Sequence, residues 1–115
     1  MMAGLILITT TSDSRSILES IAVQLLDSHL VACVQISGPV TSHYRWEGKT
    51  THATEHVLTA KTRHDLFSAV EAMIRSSHNY QLPEIIATPI ETSPDYGQWL
   101  QDETRRQPPP HPTAS

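Results

Sequence analysis

The sequence predicts an α+β fold of the ferredoxin-like, split β-α-β type. Its elements run β-α-β-β-α-β, with an extra C-terminal helix, and form one four-stranded antiparallel sheet with two helices on one face. Three observations predict it. Apolar runs, LILI (Leu5–Ile8) and EIIATPI (Glu84–Ile90), read as strands near the two ends of the chain. Two intervening stretches carry apolar residues at spacings of three and four, the signature of helices with one buried face. Between these lies a long extended segment broken only by Glu47-Gly48-Lys49, which reads as a hairpin. A chain of 115 residues is of single-domain length.

Each element has its own warrant. LILI ends in three threonines, as a central strand covered on at least one face would. Ser12 or Asp13 can cap the first helix, whose stripe is Ile17, Leu18, Ile21, Ala22, Leu25 and Leu26, closing at Asp27-Ser28-His29. LVACVQI (Leu30–Ile36) is a second strand. Ser37-Gly38-Pro39 then marks a bend or bulge within a longer strand rather than its end. Beyond it Val40, Ser42, Tyr44 and Trp46 alternate with polar residues, and the return arm runs from about Thr51 to Thr62. The second helix starts at Thr62 or Arg63, buries Leu66, Phe67, Val70, Met73 and Ile74, and stops near Ser76-Ser77. After the fourth strand, Ser93 caps a short helix with Pro94 at its first position and Asp95 at its positive end. This divides the chain into a folded domain, residues 1–103, and a proline-rich tail, residues 104–115, with nothing to bury.

Composition excludes some functions. The net charge is -4, and the only lysines are Lys49 and Lys61, so no basic surface for nucleic acid is expected. No run of eighteen apolar residues suggests a membrane span, and the start lacks the basic flank of a signal peptide. A single cysteine, Cys33, forms no internal disulfide and fits a reducing cytoplasm. The hydrophobic share is a low 38%, and the arms of the hairpin exceed what a four-stranded monomer needs. Pairing of their outer ends with another copy is the natural solution.

Few residues could carry catalysis. Cys33 lies inside an apolar strand, where a thiol usually serves packing. No glycine-flanked serine elbow or Gly-rich phosphate loop is present. The third strand has no aromatic platforms for RNA, and TTTSD stands where a metallochaperone would carry Cys-x-x-Cys. Glu47, Glu84 and Glu91 could be brought together only by the fold, and a hydrolase built on Glu84 has no recognisable nucleophile. No enzymatic activity is expected.

Seven histidines raise the question of metal. His52 and His56 share a strand face but lie about 13 Å apart at about 3.3 Å per residue, too far to chelate one ion. His43, across the hairpin, could pair with one of them, depending on register. All three read first as a solvated strand face, with His111 solvated in the tail and His29 and His64 at helix ends. His78 differs, because Tyr80 and Glu84 enter the same loop and Pro83 holds Leu82 extended. Either imidazole, phenol and carboxylate converge on a pocket, or Tyr80 is buried and Glu84 bonds backbone or Lys61.

ACVQISGPVTSHYRWEGK (Ala32–Lys49), KTR (Lys61–Arg63), HNYQLPEIIATPI (His78–Ile90) and PDYGQWL (Pro94–Leu100) together resemble the CutA family of divalent-cation tolerance proteins. The likeness covers about Leu5 to Leu100. It implies a tight homotrimer whose hairpins and edge strands join three sheets, an architecture like that of PII-type signalling proteins. It implies weak binding of Cu2+ or another divalent cation, with no enzymatic activity. The family's histidine before Y-x-x-P-E falls on His78, which makes it the candidate metal ligand. Ser77 stands where some members have a second histidine, and Thr9 or Thr10 where some have a cysteine, a hard oxygen donor in place of a soft thiolate. Tyr44, Trp46, Lys61, Tyr80 and Glu84 match positions that line the intersubunit cleft. The alternative is a PII-like signalling or scaffold module binding a small anion or metabolite in that cleft, with Lys61 and Arg63 supplying positive charge.

Overall fold

The computed structural model describes residues 4–105. Its elements are β1 (Leu5–Ser12), α1 (Arg15–Asp27), β2 (Cys33–Trp46), β3 (Lys49–Arg63), a 3-10 turn (His64–Leu66), α2 (Phe67–Ser77), β4 (Ile86–Pro89) and α3 (Pro94–Asp102). The strands form one antiparallel sheet in the order β2-β3-β1-β4. This is the element order expected, with α3 as the additional helix.

The core lies between the sheet and the first two helices. Ile6, Ile8, Leu58 and Ala60 point from β1 and β3 onto Leu18, Ile21 and Leu25 of α1 and Val70 and Ile74 of α2. Removing this apolar area from water supplies the main driving force for folding. The alternate residues of β3 face the other side. There the Lys61 ammonium sits 5.8 Å from the centre of the Tyr96 ring, and Arg63 donates to Thr104, so α3 covers part of the second face. Thr104 is buried and the Arg105 N–H donates to the His29 carbonyl, so the fold extends through these two residues of the expected tail. The rest of that tail, residues 106–115 with His111, lies outside the described residues, as do residues 1–3.

Several boundaries differ from expectation, each for a local reason. β1 runs on through its threonines to Ser12 because β3 is long enough to pair it as far as His56. The cap of α1 therefore falls on Ser14, whose Oγ accepts from the Ile17 N–H. At the other end of α1, His29 adopts φ 58°. Its N–H donates to the Leu26 carbonyl and that of Leu30 to the Leu25 carbonyl, the paired bonds of a Schellman cap. Leu30 is thus engaged in the cap, and its carbonyl accepts from Thr62 Oγ1 at 2.6 Å, so β2 starts at Cys33 rather than Leu30. Thr62 and Arg63 are still in the β1–β3 ladder, which delays α2 to Phe67. β4 is shortened to Ile86–Pro89, with Ile85 packed against the core just before it.

The hairpin closes as a two-residue loop: Trp46 pairs with Lys49, and Glu47 and Gly48 both have positive φ, 52° and 78°. Further along, Ser37 pairs with Val57 but Val40 with Glu55, so β2 carries one extra residue there. Gly38-Pro39, joined by a cis peptide, forms that bulge.

Candidate functional site

The loop between α2 and β4 is pinned to the end of β1 by a chain of hydrogen bonds. His78 Nε2 lies 2.8 Å from the Thr11 carbonyl, and its Nδ1 accepts the Tyr80 N–H at 3.0 Å. A carbonyl only accepts, so Nε2 carries the proton and Nδ1 is the acceptor. Asn79 accepts from Ser12 Oγ at 2.7 Å and donates to Asp13 Oδ1 at 2.8 Å. The Tyr80 hydroxyl accepts the Asp13 N–H at 2.8 Å and donates to Glu55 Oε2 at 2.6 Å. Burial, and then the bond to the Glu55 carboxylate, raise the Tyr80 pKa far above its ordinary value, so the phenol is neutral and a donor.

Glu55 is itself buried, 6% exposed, opposite Val40 at the bulge. The bulge re-aims β2, and the alternation beyond it turns Tyr44 and Trp46 to the side on which Glu55 lies. Between this part of the hairpin and the pinned loop is a cavity of about 640 Å³, lined among others by Thr11, Tyr44, Trp46, Glu55, Tyr80 and Glu84. Tyr44, Trp46 and Tyr80 give it aromatic surface, Glu55 and Glu84 are its carboxylates, and among the described residues no lysine or arginine lines it. Such a surface favours positively charged ligands on both counts.

Four of the five residues expected at a cleft, Tyr44, Trp46, Tyr80 and Glu84, come together here. Lys61 does not: it donates to Gln35 Oε1 at 3.3 Å and lies over Tyr96. Arg63, the other cation that an anion site would use, is bound to Asp65 and Thr104. His78 lies beneath the loop with both ring nitrogens engaged, and it acts on the pocket through Tyr80. Among the described residues, no three His, Cys, Asp or Glu side chains are grouped to hold a metal ion. Glu55 is the residue that sequence reading missed. Its position opposite the bulge could be found only with the β2–β3 register in hand.

Fold and pocket together define a small α+β domain of split β-α-β type with a cavity, beside a long hairpin, that holds two carboxylates and three aromatic rings. The chain belongs to the CutA1 divalent ion tolerance protein family, which it matches over residues 6–103. It is 36% identical over 104 residues to a divalent-cation tolerance protein CutA of Thermus thermophilus, covering 90% of this chain and 99% of that one. Its likeness to the CutA of Archaeoglobus fulgidus is 40% over 95 residues, 82% of this chain and 91% of the other. Of the chloroplastic CutA of Arabidopsis thaliana it spans 56%, at 35% identity over 87% of its own length. The solved Thermus structure superposes with a TM-score of 0.85 at 33% identity, covering 88% of this chain and 99% of that one. CutA1 of Oryza sativa gives 0.86 at 32%, covering 90% and 96%. No helix among the described residues is long and apolar enough to cross a membrane.

Proposed function

We propose that the protein is a non-enzymatic binder of divalent cations that contributes to metal tolerance, and that the cation enters the pocket between the hairpin and the His78–Glu84 loop. The carrying observation is the pocket's charge: Glu55 and Glu84 line it, and among the described residues no lysine or arginine does. The relatives' names, divalent-cation tolerance proteins, support the same chemistry. Carboxylate and amide oxygens suit harder ions such as Mn2+ better than Cu+. His78 serves as a positioning residue, holding Tyr80 on Glu55. Titration of Mn2+ by calorimetry tests this reading. Glu84→Gln, a change at an exposed position, is expected to weaken binding, and unchanged affinity in that variant overturns the pocket as the site.

The working assembly we propose is a homotrimer, with the pockets at clefts between subunits. β2 lies at the edge of the sheet, so the outer side of a 14-residue strand is unpaired within the subunit. Val40, Tyr44, Trp46, Leu82 and Ile86 are all exposed large apolar residues of the hairpin, the loop and β4. Light scattering at micromolar concentration is expected to give three times the chain mass, and a monomer there overturns the trimer. The cytoplasm is the proposed compartment, on the strength of the lone free thiol of Cys33. Chloroplastic and periplasmic appear in the names of relatives from Arabidopsis and Archaeoglobus.

A further inference from the structure

The β2–β3 register places His43 directly opposite His52. Both are exposed, and their ring centroids lie 5.5 Å apart, tilted by 38°. Residues facing each other across antiparallel strands have Cβ atoms about 4.5–5.5 Å apart. Two imidazoles bound to one ion at about 2.0–2.1 Å, at angles near 90–109°, place their centroids about 4.5–5.2 Å apart. The observed separation needs only a small side-chain rotation to reach this range. His52 is not among the residues lining the pocket, although His43 borders it. By strand alternation His43 and His52 lie on the strand face opposite that of Ser42 and Tyr44.

We propose that His43 and His52 form a second, surface cation site, a two-imidazole chelate for a borderline divalent ion such as Ni2+, Cu2+ or Zn2+. Imidazole suits these ions, and their affinities follow the usual Cu2+-favouring order. The two ligands stand on paired strands of one hairpin whose turn is closed, so their relative position is fixed before the ion arrives. Binding the second imidazole is then intramolecular. Thr41 and Thr54 form the next pair along this face on one side, and Arg45 and Thr50 on the other. The Arg45 guanidinium is turned toward the Thr50 hydroxyl at 3.4 Å. Water completes the coordination sphere, which makes the site open and exchangeable. His56 takes no part: it lies four residues from His52 on the same strand, pairing with Ser12 of β1.

The inference stands apart from the pocket, and the two fail separately. Ni2+ is titrated into the full chain and into His43→Ala, His52→Ala and His56→Ala, with circular dichroism confirming that each is folded. Each histidine variant is expected to lose about tenfold or more in Ni2+ affinity, because the chelate becomes a single ligand. His56→Ala, which removes a histidine outside both sites, is expected to bind Ni2+ as the parent does. With Cu2+ bound, electron paramagnetic resonance should report two equatorial nitrogens in the parent and one in either variant. Unchanged Ni2+ affinity in His52→Ala, or loss of it in His56→Ala alone, overturns the site. Loss of Mn2+ binding in Glu84→Gln bears only on the pocket.

Discussion

The Tyr80 hydroxyl donates a 2.6 Å hydrogen bond to Glu55 Oε2, joining the loop before β4 to the middle of β3. Glu55 is 6% exposed, so this bond satisfies a carboxylate that water reaches poorly. Tyr80→Phe keeps the ring and deletes the donor. Leaving a buried charged acceptor short of a partner costs about 1–3 kcal/mol. Chemical denaturation should show a loss in that range with an unchanged slope. A difference below a few tenths of a kcal/mol would mean that Glu55 is solvated or otherwise partnered.

The same phenol gives an alkaline prediction. Its folded pKa is raised above the unfolded value of about 10, first by burial and then by Glu55. The folded state therefore holds the proton more tightly than the unfolded one. Its contribution to stability is fully present below pH about 10 and is lost as pH rises further toward the folded value. Absorbance at 295 nm, compared between parent and Tyr80→Phe, should show no Tyr80 ionisation near pH 10 while the protein stays folded. A full tyrosinate signal from Tyr80 at that pH would contradict the buried bond.

What could be read from the sequence follows from range. Patterns set by neighbours along the chain were legible: the stripes of both main helices, apart from Leu26, which is exposed, the hairpin turn within Glu47-Gly48-Lys49, the bend or bulge at Gly38-Pro39 and Pro94 opening α3. Element ends set by distant partners were not. Ser12 reads as a helix cap until β3 is known to pair with it, and Thr62 as a helix start until β1 is. At the pocket, Tyr80 and Glu84 stood out because they are close in sequence to His78, and Tyr44 and Trp46 through the family likeness. Glu55 and the His43–His52 pair depend on one register across the hairpin, and a slip of one residue would reverse both faces. Lys61 lies apart from this pocket, over Tyr96 of α3, an element with no sequence link to β3.

Gly38 supplies a steric prediction. Its φ is +124°, and a Cβ there would lie 3.1 Å from the Glu55 carbonyl oxygen and 3.1 Å from His56 Cα. Both are backbone atoms in a paired strand, so neither can yield easily. Gly38→Ala adds backbone strain of about 1–3 kcal/mol and an overpacking cost of similar size. Gly48, at φ +78°, has nothing within 4 Å of the position, so Gly48→Ala should cost only about 1 kcal/mol. Thermal melts of the two variants should rank Gly38→Ala clearly lower. Equal midpoints would mean that the bulge can relax around a side chain.

The Arg63–Asp65 pair gives an acid-side prediction of smaller size. Arg63 donates from Nε and Nη2 to the two carboxylate oxygens, each at 2.9 Å, and from Nη1 to Thr104. The Arg63 hydrogen bonds lower the Asp65 pKa. With the folded value below the unfolded one of about 3.9, the contribution is present at neutral pH and is lost as pH falls through the folded value. The Asp65 side chain is 50% exposed, so screening holds the effect to about 1 kcal/mol or less. Asp65→Asn should lower the midpoint slightly at pH 7 and by less at pH 3, because below the unfolded pKa the contribution of the ion pair has begun to be lost. High salt should shrink the pH 7 difference, because an exposed pair is screened. A difference that stays constant from pH 7 to pH 3 would show that Asp65 acts through neutral hydrogen bonds, with Arg63 held mainly by Thr104.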